Sequence, residues 1–129
     1  MSTKAIYVSN ESDVAEAVRQ AMKAAVEIGF GTVQSHYIAT AASELAANLL
    51  IHAGGGVLTL LQLVEPSGIE LMTIDGGPGI ADIGKALQNG YSTARGLGCG
   101  LPGVQRLMDE LTIVSRPGEQ TVIRAQKWL

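Results

Sequence analysis

The chain has 129 residues, a formal net charge of −3 and a single cysteine. That length suits one domain with a sizeable core, and 47% apolar residues with only 4% aromatic means that Leu, Ile, Val and Ala must fill it. Scattered arginines (Arg19, Arg95, Arg106, Arg116, Arg124) on a mildly acidic chain argue against a nucleic-acid face, and one cysteine excludes an internal disulfide framework and suits a reducing compartment.

The opening stretch, "MSTKAIYVSNESD", has no apolar signal core, and no window approaches the length of a membrane span. A soluble, cytoplasmic protein with no membrane partner is expected. "AIYV" reads as a short first strand. "SNESD" offers caps for a helix from about Val14 to Ile28, which Gly29 and Gly31 end. A second helix, free of Pro and Gly, runs from Val33 to Ala53 until Gly54-Gly55-Gly56 stops it. Val57–Val64 and Ile69–Asp75 are strands, separated by the turn residues Glu65-Pro66-Ser67-Gly68, and form a hairpin. A glycine-dense middle follows, from Gly76 to Gly103, with a short helix near Ile83–Gln88. "PGVQRLMDE" is a helix that tolerates Pro102 in its first turn. "TIVS" and "TVIRAQKW" close the chain as a hairpin across Arg116-Pro117-Gly118-Glu119. The pattern predicts a two-layer α/β sandwich: a mixed, mostly antiparallel sheet with helices packed on one face.

Three features carry chemistry. Within the second helix, Glu44, Asn48 and His52 recur at every fourth position. Each such step drifts about 40° around a helix, so the three share one ridge. Alone, that ridge equally suits the solvated side of an amphipathic helix. Second, "DGGPGI" sets Asp75 at a strand end beside Gly77 and Gly79. Glycines there let backbone approach a ligand closely, and the Asp can accept a hydrogen bond from a buried donor; a plain turn would use the same residues. Third, "TARGLGCGLPGV" alternates Gly96, Gly98 and Gly100 and then starts a helix, with Arg95 close by. Backbone N–H groups at such a helix start favour phosphate. Gly98, Gly100 and Gly103 also spell G-x-G-x-x-G, but no buried strand precedes them, so a dinucleotide-binding fold is rejected. No G-x-x-x-x-G-K-[ST] occurs, which excludes a P-loop. Cys99, among these glycines, reads as a small packing side chain.

Taken in order, E44-x-x-x-N48-x-x-x-H52, D75-x-G77-x-G79 and G96-x-G98-x-G100 resemble the N, G1 and G2 boxes of the GHKL (Bergerat-fold) ATPases and kinases. "HAGGG", "GYSTARGLGCGLPGVQRLMDE" and the short length narrow the resemblance to the RsbT-type switch serine/threonine kinases of bacterial partner-switching and stressosome modules. The likeness covers nearly the whole chain and implies one ATP-binding kinase domain over residues 1–129, with a left-handed βαβ sandwich and ATP between sheet and helices.

The resemblance assigns roles. Asn48 gives an oxygen to Mg²⁺, and Glu44 orients and deprotonates the incoming hydroxyl. Asp75 accepts the adenine amino group, supported by Thr121, which favours ATP over GTP. Gly77, Gly79, Ile80, Arg95 and Leu101 complete the ATP site, and Gly96, Gly98 and Gly100 close over the phosphates. His52 is structural or lies near the phosphates. Gly76 and Cys99 stand where relatives carry Asn and Leu; neither removes a ligand, so altered affinity without loss of function is expected. The implied substrate is a STAS-domain antagonist, and the implied onward partner a phosphatase or cyclase-type regulator. A nucleotide-dependent sequestering module with little kinase activity and a simple ATPase are the alternatives.

Overall fold

The computed structural model describes residues 3–75, 100–115 and 120–129. In chain order they form β1 (Thr3–Val8), α1 (Glu11–Ile28), α2 (Thr32–Ala53), β2 (Gly56–Val64), β3 (Ser67–Asp75), α3 (Gly100–Leu107), β4 (Glu110–Val114) and β5 (Val122–Trp128). The short helix expected near Ile83–Gln88 lies outside the described residues. So do the G1 and G2 positions Gly77, Gly79, Ile80, Arg95, Gly96 and Gly98, together with Gly76, Cys99 and the turn at 116–119.

The helix boundaries follow from local chemistry. Asn10 caps α1 by accepting from the Asp13 N–H at 3.0 Å. Asp13 reaches back to the N–H and hydroxyl of Ser9, at 2.9 and 3.0 Å. This reciprocal cap starts α1 at Glu11, three residues before the expected Val14, because polar residues fill the first turn. At the far end of α2, Gly54 takes the left-handed conformation, and the N–H groups of Gly54 and Gly55 return to Leu50 O and Leu49 O at 3.1 and 2.8 Å. That closes the helix as a Schellman turn, which needs glycine.

The sheet order is β1-β2-β3-β5-β4. Every strand pair among the described residues is antiparallel, so the mixed character expected does not reach direct neighbours. β3 and β4 run parallel because both pair antiparallel with β5, which lies between them. The unit β3–α3–β4 is therefore the split crossover of this fold. The β2–β3 hairpin is tighter than expected: Val64 pairs with Ser67, leaving only Glu65 and Pro66 as the link. α3 ends at Leu107, short of the expected Glu110, since Glu110 already pairs with Gln126 in the sheet.

Strand alternation sorts the side chains. Leu58, Leu60, Ile69, Leu71, Ile123 and Ala125 are buried in the core with side chains of α1, α2 and α3. α2 is apolar nearly all round because it is the central helix: it packs on α1, on α3 and on β2 and β3. Among the described residues no helix is long and apolar enough to cross a membrane.

Candidate active site

The polar ridge of α2 is only partly solvated. Asn48 is 7% exposed, Glu44 is half-buried and His52 is exposed. The Oδ1 of Asn48 is buried and meets no hydrogen-bond partner among the described residues. Leaving such a group unsatisfied costs about 1–3 kcal/mol. A neutral carbonyl oxygen in that state suits a hard cation that takes oxygen ligands, so Asn48 fits the Mg²⁺ that the resemblance implies. His52 lies in the last turn of α2.

One turn before Asn48, Glu44 reaches across to α3. Its Oε2 accepts a hydrogen bond from the Gly100 N–H at 3.0 Å. Gly100 is the first residue of α3 and has φ 56, a left-handed value that glycine adopts without strain. Residues 44 and 100, 56 positions apart in the chain, are thus joined directly. Leu101 is 4% exposed and packs in the core.

The third element is the end of β3. Asp75 and Thr121 bond reciprocally: the Asp75 N–H donates to Thr121 O at 3.2 Å, and the Thr121 N–H donates to Asp75 Oδ1 at 3.2 Å. The Thr121 hydroxyl is held in turn by Ser115 Oγ at 2.8 Å. Thr121 is buried just before β5, so the carboxylate is oriented from the neighbouring strand. Sequence reasoning reached Asp75 and Thr121 but missed Ser115, whose only signal was a polar residue closing an apolar run.

It also missed Gly56. Paired with Asp75 in the sheet, Gly56 has no room for a side chain. A Cβ there would stand 2.5 Å from Ile74 O, 2.8 Å from Leu49 Cδ2 and 3.2 Å from Asp75 Cα. Leu49 follows Asn48 on α2, so the glycine lets the Asn48 segment pack closely on β2 beside the strand partner of Asp75. The triple glycine after α2 had been legible only as a helix stop.

Comparison with known proteins shows the family. The histidine kinase-like ATPase domain profile matches residues 8–127. The serine/threonine-protein kinase RsbT of Bacillus subtilis (strain 168) is 44% identical over 126 residues, covering 96% of this chain and 95% of that protein. The anti-sigma F factor of Caldanaerobacter subterraneus is 36% identical over 98 residues, covering 71% and 68%. Among solved structures, the SiaB–SiaC complex of Pseudomonas aeruginosa contains a chain that superposes with a TM-score of 0.64. It is 8% identical and covers 98% of this chain and 89% of that one, a likeness of fold alone.

The chain belongs to the histidine kinase-like ATPase domain family, with a GHKL-type two-layer α/β fold. Within that family it is a serine/threonine-protein kinase of the partner-switching kind.

Proposed function

We propose that this chain transfers the γ-phosphoryl group of ATP to a serine or threonine of a STAS-domain antagonist, with Mg²⁺ held at Asn48 and the adenine held at Asp75. The observation that carries the reading is the buried, unpartnered Oδ1 of Asn48, one helical turn from the carboxylate of Glu44. A magnesium ion held at Asn48 would supply neutralisation of phosphate charge. Glu44 takes the proton of the attacking hydroxyl as its oxygen bonds to the γ-phosphorus and the bond to the β-phosphate oxygen breaks, leaving ADP. Phosphoryl transfer depends mainly on positioning and charge, so the chief task of Glu44 is to orient the hydroxyl. Asp75, steadied by Thr121 and Ser115, accepts from the adenine amino group. Guanine presents an oxygen at that place, so acceptor would face acceptor, and ATP is preferred. The loops around Gly77, Gly79, Ile80, Arg95, Gly96 and Gly98 complete the phosphate and base contacts in this reading, with the backbone of Gly100 and Leu101.

A phosphate placed on the partner adds about −1.5 to −2 of charge to the docking surface and separates the complex. The freed kinase then engages its next regulator, a phosphatase or cyclase-type protein, in the cytoplasm and within a stressosome-type module. The test is incubation with labelled ATP and candidate STAS proteins, followed by mapping of the label. We expect one labelled Ser or Thr with the wild type and none with Glu44→Gln; equal labelling by that variant refutes the assigned base. The likeness to anti-sigma F factors favours a second reading, nucleotide-dependent sequestration. Under it, Glu44→Gln would retain the whole biological effect.

A further inference from the structure

Glu44 is not idle in this structure. Its Oε2 accepts from the Gly100 N–H at 3.0 Å, in a partly buried setting. That N–H opens α3, an eight-residue helix whose first N–H groups have no partner within the helix. The start of a helix carries partial positive charge, and a carboxylate bonded there makes a charge-assisted hydrogen bond, about twice as strong as a neutral one. A phosphate oxygen would be bound in the same way and for the same reasons. Asn48, whose buried Oδ1 lacks a partner among the described residues, stands one turn along the same ridge of α2. The group read as the catalytic base therefore occupies the anion position that the fold offers to phosphate.

We propose that Glu44 is a resident stand-in for phosphate in the nucleotide-free protein, and that the nucleotide's outer phosphates displace it from the Gly100 N–H. The inference rests on the nucleotide site proposed above and adds a coupling to it. One N–H cannot serve both anions at full strength, and two anions at that distance repel. Binding of the phosphoryl donor and release of the base are then a single event. While Oε2 is held at the Gly100 N–H, the carboxylate is tied to the start of α3. Its release frees the base to turn to the incoming hydroxyl when there is a phosphoryl group to transfer.

The coupling is tested with the full chain in the presence of Mg²⁺. Calorimetry compares wild type, Glu44→Gln and Glu44→Ala, each titrated with AMP-PNP and with adenosine. Removing the competing carboxylate tightens AMP-PNP binding by roughly tenfold to a hundredfold, the size expected for a charge-assisted hydrogen bond, and leaves adenosine binding unchanged. In protein labelled with ¹⁵N-glycine, the Gly100 amide resonance differs between wild type and Glu44→Ala without nucleotide, and that difference closes once AMP-PNP is bound. Three results overturn the proposal: AMP-PNP weakens or is unchanged in both variants, both ligands shift together, or the Gly100 amide difference is the same with and without AMP-PNP. A wild type that is folded yet binds neither AMP-PNP nor adenosine removes the nucleotide site itself, which is the failure of the earlier reading.

Discussion

Replacing Asn48 with Leu separates a structural from a ligand-binding role for the α2 ridge. Leu has the branching of Asn at Cγ and nearly its shape, but no polar atom. Asn48 is 7% exposed, and its buried Oδ1 finds no partner among the described residues. Withdrawing that oxygen relieves about 1–3 kcal/mol. Fitting the two larger methyl groups into the packed helix returns about 1 kcal/mol of it. The nucleotide-free variant is thus expected to be as stable as wild type or more stable, by up to about 2 kcal/mol. For a domain of this size that corresponds to a rise in Tm of up to roughly 5–10 °C. Wild type, by contrast, gains about 2.7 kcal/mol from a ligand at one hundred times its Kd. Asn48→Leu should gain little from Mg-ADP at the same concentration. Urea or thermal unfolding with and without Mg-ADP measures both quantities. A variant that loses 2 kcal/mol or more without nucleotide, yet keeps the full ligand-induced gain, refutes the reasoning, since Asn48 would then be a structural residue.

Three further outcomes are expected. Gly56→Ala places a Cβ 2.5 Å from Ile74 O and 2.8 Å from Leu49 Cδ2; the forced separation of α2 from β3 should lower stability by about 1–3 kcal/mol, read from the urea midpoint, and weaken ADP binding through Asp75. Lys127→Met removes a buried ammonium that donates to Leu107 O at 2.9 Å and lies 3.7 Å from Asp109; it leaves the end of α3 with an unpaired carbonyl and should cost about 1–3 kcal/mol in denaturant unfolding. The N–H and hydroxyl of Ser9 hold the Asp13 carboxyl below its ordinary value of 3.8. A lowered folded-state pKa contributes stability above about pH 4 that is lost as pH falls through the folded value. The stability gap between wild type and Asp13→Asn should therefore be present at pH 7 and shrink towards pH 3, measured by urea unfolding at both.

The elements were legible in the sequence because their signals are local. Gly29 and Gly54 stop two helices through their own left-handed backbone, and the alternation of Leu58, Leu60, Ile69 and Leu71 marks strands with one buried side. Glu44, Asn48 and Asp75 were equally visible, since helical spacing and strand ends are properties of short stretches; Thr121 was reached through the family resemblance. The boundaries that moved are those set by distant partners. α3 yields to β4 at Glu110 because Gln126 pairs there, and no propensity near residue 110 encodes that.

The same holds for what joins the site. Only the tertiary structure puts Glu44 on the Gly100 N–H, clamps Leu49 against Gly56, and sets Ser115 behind Thr121. Periodicity tells which residues share a face of one element. Which elements meet, and whether a polar atom there is satisfied or left open, depends on how the whole core packs.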